Sequence, residues 1–65
     1  MKVVYQGKDV NTNADTVRKF LSEKGIVDGT AVVEYQGTIH APGDNLDIPL
    51  VEGGVLNAFR IVAGG

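Results

Sequence analysis

The chain contains no cysteine, which excludes disulfides, thiolate zinc sites and a cysteine nucleophile and leaves ordinary packing to hold the fold. It also has no cluster of Lys and Arg. Six basic residues stand against eight acidic ones, for a net charge of −2 and a pI near 5.0. A run of phosphates would find nothing to neutralise it, so nucleic acid is not an expected partner. No apolar run approaches the ~20 residues of a membrane span, and the first ten residues lack the apolar stretch of a signal peptide. No membrane partner is therefore expected, and a small cysteine-free chain fits a reducing, cytoplasmic setting. Length is scarce too. Sixty-five residues, 43% of them apolar, make one domain that buries only about 60% of its unfolded surface. A large enclosed active site is not expected in so small a body.

What is present alternates between strand and turn signals. Lys2-Val3-Val4-Tyr5 is β-branched and aromatic, and Gln6-Gly7-Lys8 turns the chain before Asp9-Val10-Asn11, which predicts a hairpin. Thr12, Asn13, Asp15 and Thr16 are helix N-cap candidates. From there Val17, Phe20 and Leu21 fall at the i, i+3, i+4 spacing of one buried stripe, with Arg18, Lys19, Glu23 and Lys24 on the other side. Gly25 suits a left-handed C′ position, so a helix is expected over about residues 15 to 24. Ile26 and Val27 are expected to cover the core as the chain leaves it. Thr30–Tyr35 is the most strand-like segment. Gln36-Gly37 turns it into a short Thr38-Ile39-His40 strand. Ala41–Asp47 reads as loop, with Leu46 and Ile48 as core anchors. Glu52-Gly53-Gly54 turns again, and the last strand is expected from about Val55 to Ile61. One helix against a mixed sheet makes a two-layer α+β domain.

On that last strand, the parity that buries Leu56 and Ala58 sends Asn57, Phe59 and Ile61 to the sheet face without a helix. An exposed Phe59 beside Ile61 would form a docking patch. A bulge or shifted register would bury Phe59 instead. Arg60 either pairs with an acidic group on a partner or is solvated. His40 has no second His, Cys or triad partner. Asp44-Asn45-Leu46-Asp47 lacks the ligand count of a calcium loop and reads as a capped turn. Gly53-Gly54 precedes no helix and so is not a phosphate loop.

The chain's final residues have two readings. Gly64-Gly65 is either a frayed terminus or a deliberate tether. Glycine loses the most backbone entropy on ordering and packs nothing, but it threads narrow channels. Ala63 to Gly65 would reach roughly 10 Å beyond the sheet at ~3.3 to 3.6 Å per residue.

In length, element order and the ending Arg60-Ile61-Val62-Ala63-Gly64-Gly65, the chain resembles the β-grasp, ubiquitin-like sulfur carriers of the ThiS and MoaD type. Local segments point to ThiS. Thr16-Val17-Arg18-Lys19-Phe20-Leu21 is similar to its T-V-x-x-L-L helix start, Val33–Ile39 to its V-x-x-N-G-x-I hairpin, and Glu52-Gly53-Gly54 to its D-G-D turn. The pattern departs at Gln36, where asparagine is usual, at Gly54, where a second acidic residue is usual, and in the loop Ala41–Asp44.

The resemblance implies a β-grasp domain over residues 1–62 and a flexible Ala-Gly-Gly tail over 63–65. It also implies a protein that is a substrate rather than an enzyme, with no catalytic residue and no stably bound cofactor or metal. An adenylating enzyme of the ThiF/MoeB type would use ATP to activate the Gly65 carboxylate, and sulfur transfer would leave a thiocarboxylate there. Ala63 and Gly64 would serve as the delivering tail. Phe59, Ile61 and Arg60 would dock the partner. Thiazole synthase of thiamin biosynthesis is the leading sulfur acceptor. The alternatives are a carrier for cysteine, homocysteine or molybdopterin sulfur, and a ubiquitin-like modifier joined to lysines through Gly65. The Gly65 carboxylate would be the original end of the chain or one exposed by proteolysis.

Overall fold

A computed structural model of the chain describes residues 1–61. The elements run β1 (Lys2–Tyr5), β2 (Lys8–Asn11), α1 (Val17–Glu23), β3 (Ala31–Tyr35), β4 (Thr38–His40) and β5 (Val55–Arg60). The strands form one five-stranded sheet in the order β2-β1-β5-β3-β4. Both hairpins and the β3–β5 pair are antiparallel, whereas β1 and β5 run parallel. The protein is thus a small α+β domain with a mixed sheet and one helix.

Both hairpin turns place two successive residues at positive φ, Gln6 and Gly7 at 52° and 80°, Gln36 and Gly37 at 51° and 82°. Such two-residue turns match the right-handed strand twist and ordinarily favour Asn-Gly. Glutamine is used here because its longer side chain reaches the central strand. Gln6 Nε2 donates to the Ala58 carbonyl at 2.8 Å, and Gln6 Oε1 accepts from the Ala58 N–H at 3.3 Å. Gln36 Oε1 accepts from the Val55 N–H at 2.8 Å. Each amide thereby pairs with β5 beyond the end of its own strand.

The helix is shorter than its sequence predicts, beginning at Val17 behind an N-cap at Thr16. Asp15 and Thr16 are held by a second segment, Thr16 in an extended conformation. The Asp15 carbonyl accepts from Leu50 N–H at 2.9 Å, and Thr16 bridges Pro49. The same segment satisfies the first helical donors, which have no partner inside the helix. Val17 N–H donates to Ile48 O, Arg18 N–H to Leu46 O, and Lys19 N–H to the Thr16 hydroxyl. At the other end, Gly25 N–H donates to Ser22 O and Ile26 N–H to Leu21 O. Together with Gly25 at φ +77°, these bonds make a Schellman cap.

The core lies between helix and sheet, where Val3, Val17, Phe20, Leu21, Val33 and Leu56 are almost fully buried. Tyr5 meets Phe20 edge-on, with ring centroids 5.1 Å apart. Leu46 is buried and Ile48 half-buried against this cluster, and Leu50, Ala14 and Thr12 join the interior as well. Val27 does not cover the core. It is 68% exposed, because the Schellman cap turns Ile26 inward and carries the next residue out into solvent.

Candidate functional site: an open sheet face at the end of the central strand

β5 lies between β1 and β3, so its outward-facing side chains sit in the middle of the uncovered face. Leu56 and Ala58 are buried toward the helix, which leaves Val55, Asn57 and Phe59 pointing away. Phe59 is 57% exposed. Register builds a surface around it. Val32 lies opposite Phe59, Glu34 opposite Asn57, and Ile39 opposite Glu34 on the next strand; on the other side Val4 lies opposite Val55. Ile39 is 70% exposed and Val55 46%, with Val4 and Val32 half-buried. Within this apolar area, Asn57 Nδ2 donates to Glu34 Oε1 at 3.2 Å. Large exposed apolar side chains gathered on one face mark a binding surface more often than scattered ones do.

Ile61 continues the ladder beyond the strand, its N–H donating to Thr30 O at 2.9 Å, and its side chain is 54% exposed. Alternation puts it on the same face as Phe59. Arg60 falls on the other side. Its guanidinium reaches the helix end, where Nη2 donates to Gly25 O at 3.3 Å, and a cation suits the negative end of a helix. Of the three docking residues expected from the sequence, Phe59 and Ile61 therefore share a face and Arg60 does not. Arg60 is exposed, with its guanidinium at the helix end. Ala63, Gly64 and Gly65 lie outside the described residues.

Among the described residues no three His, Asp or Glu side chains converge as a metal site would require. The Asp44 carboxylate closes its own loop by accepting from Ala41 N–H at 2.9 Å. Gly54 is held close to an aromatic ring: a Cβ there would lie 2.7 Å from Tyr35 Oη and 3.1 Å from Val51 O. The Tyr35 hydroxyl accepts from Val51 N–H at 2.9 Å.

The sequence gives no hint of the Arg18 clamp. Its Nε donates to Asp47 at 2.7 Å, and its Nη1 pairs with Asp28, so one helical side chain holds two separate loops. The Asp47 hydrogen bond, opposed in part by desolvation and reinforced by the charge of Asp28, raises its pKa above the ordinary arginine value. A raised cationic pKa means the contribution is complete below the unfolded value and is lost only as pH rises through the folded one. The guanidinium therefore keeps its charge, and its part in the clamp, throughout the neutral range. No periodicity could have found it, because its partners are 10 and 29 residues away.

Fold and surface together define a class: a small α+β domain whose last strand is central and whose uncovered sheet face is apolar. Comparison of the chain with protein-family models, with curated proteins and with solved structures finds no match.

Proposed function

We propose that this domain is a β-grasp sulfur carrier, a protein substrate whose Gly65 carboxylate is activated and converted to a thiocarboxylate. The observation that carries the reading is the position of β5. The last strand is an interior strand of the sheet, it passes beneath the exposed Phe59, and the sequence continues from Ile61 into Val62-Ala63-Gly64-Gly65. A partner seated on the apolar face would thus receive the residues that follow the strand. The strand order β2-β1-β5-β3-β4 against one helix is compatible with a β-grasp fold. The resemblance of the helix start and second hairpin to ThiS favours the thiamin branch, with thiazole synthase as sulfur acceptor.

A carboxylate is a poor electrophile, so the chemistry begins with its activation. The adenylating partner joins the Gly65 carboxylate to the α-phosphorus of ATP, releasing pyrophosphate. A persulfide sulfur then attacks the acyl carbon and AMP leaves with the electron pair of the broken C–O bond. A thiol reductant cleaves the resulting S–S bond, leaving the thiocarboxylate on Gly65. The carrier contributes delivery and docking; the partner supplies ATP binding and the sulfur.

The test is intact mass after incubation with a ThiF-type enzyme, ATP and a persulfide donor. The expected product is heavier by the exchange of one oxygen for sulfur, and deletion of Gly65 abolishes both this product and ATP–pyrophosphate exchange. Exchange retained without Gly65 overturns the proposal. A larger covalent adduct on lysines of a target would instead assign a protein modifier.

A further inference from the structure

The loop Gly25–Thr30 connects the end of the helix to β3, and it also holds the end of β5. Gly25 O accepts from the Arg60 guanidinium, and Thr30 O accepts from Ile61 N–H. Thr30 is itself braced within the loop, its hydroxyl donating to Val27 O at 2.6 Å and its N–H to the same oxygen at 3.2 Å. Ile26 anchors the base of the loop by packing against the core, but Val27 is turned to solvent and an open groove of about 540 Å³ lies between the loop and Arg18, Lys19 and Ser22 of the helix. Across that groove, Asp28 meets Arg18, which Asp47 holds from the far side. The loop is thus seated on the core at Ile26, and its tip is fastened to the helix by a side-chain ion pair.

We propose that the loop Gly25–Thr30 is a collar that fixes where the chain leaves the sheet, and that Arg18, acting through Asp28, is the positioning residue that keeps the collar closed. This rests on the carrier reading for its functional meaning, while the collar itself is defined by described residues alone. With the collar closed, the β5 ladder stays paired through Ile61. With the collar released, Arg60 and Ile61 lose their acceptors. Arg60 stays paired with Ala31 of β3, so one more residue, Ile61, then lengthens the tether by roughly 3.3 to 3.6 Å. A longer tether delivers its end less specifically, and an acyl group must meet its activating phosphate within a narrow range of distance and direction. The collar therefore sets the efficiency of delivery, and the Phe59 face sets docking. Neither Arg18 nor Asp28 needs to touch the reacting carboxylate.

Backbone amide exchange of the full chain, read residue by residue by NMR, tests the collar without any partner. Asp28→Ala removes the tip of the clamp and leaves Arg18 on Asp47. Lys19→Ala removes a different exposed ion pair of the same helix, that with Asp15, and serves as the control. The expected result is faster exchange at Ile61 in Asp28→Ala by about two- to fivefold, the range open to an exposed ion pair. The core amides of β3 are unchanged, and Lys19→Ala is silent at Ile61. High salt brings wild-type Ile61 toward the Asp28→Ala rate, since exposed charges are screened. Unchanged Ile61 exchange in Asp28→Ala overturns the proposal, as does acceleration shared by the whole sheet, which would report only lost global stability. With a ThiF-type enzyme, Asp28→Ala lowers kcat for ATP–pyrophosphate exchange and leaves KM for the carrier near wild type. A rise in KM alone would assign the loop to docking and also overturn the collar. Should wild-type chain support no exchange, the carrier reading falls, and Ile61 exchange still decides the collar.

Discussion

A methyl group at position 54 has no room. Its Cβ would sit 2.7 Å from Tyr35 Oη and 3.1 Å from a carbonyl, so either the ring or the turn must move, and Tyr35 Oη is already committed to Val51 N–H. Gly54→Ala is expected to destabilise the domain by about 1–3 kcal/mol, the cost typical of overpacking, measurable by urea unfolding at constant slope. The hairpin glutamines make the opposite point, that a locally inferior residue is the better one in place. Asparagine tolerates positive φ more readily than glutamine, but it is one methylene too short to reproduce both contacts of Gln6 with Ala58. Gln6→Asn is therefore expected to cost stability, by about 0.5–1.5 kcal/mol for the lost hydrogen bonding. A rise in the unfolding midpoint would show that turn propensity outweighs the link to β5.

At the scale of elements, the helix is the instructive case. Seven residues are too few to be stable alone, because nucleation is costly and short isolated helices are marginal in water. This one is held by what surrounds its ends: backbone carbonyls of Leu46 and Ile48 at the start, the Thr16 side chain on Lys19 N–H, and the Schellman cap at Gly25. Thr16→Ala removes one donor's partner and is expected to cost about 1 kcal/mol, read as a lower thermal midpoint in far-UV circular dichroism. Val17 and Arg18 keep their carbonyl partners in that variant, so loss of the whole helix would contradict this division of labour. The same logic explains why residues 46–50 matter although they form no named strand. Leu46 and Leu50 bury their side chains while the backbone between them caps the helix.

For the molecule as a whole, the sheet has two unlike faces, and the main core lies on only one of them. The helix covers the face bearing Val3, Val33 and Leu56, whereas Phe59, Ile39 and Val55 lie open on the other. Phe59→Ser is thus expected to change stability by no more than about 0.5 kcal/mol, as surface substitutions generally do. On the carrier reading it raises KM for adenylation at least severalfold. Unfolding and steady-state exchange measured on the same preparation separate these effects, and a large loss of stability with unaltered KM would remove Phe59 from the docking face. No helix among the described residues is long and apolar enough to cross a membrane.

The strands, both tight turns and the helix stripe were legible because they depend on neighbours close in sequence. Period-two alternation marks Val55–Arg60, Gln-Gly marks each hairpin, and Val17, Phe20 and Leu21 mark one buried side of a helix. Alternation along β5 also assigns Phe59 and Ile61 to one face. Which other residues join them is a matter of register between strands distant in sequence, and so Val4, Val32 and Ile39 entered the apolar surface only with the sheet assembled. Long-range pairing decided the rest as well: the late start of the helix through Leu50 and Pro49, the turn of Arg60 toward Gly25, and the joining of two loops by Arg18. Local sequence fixes backbone preference at a residue, but a side chain's partner is set by where the folded chain brings a complementary group, and those partners lie tens of residues away.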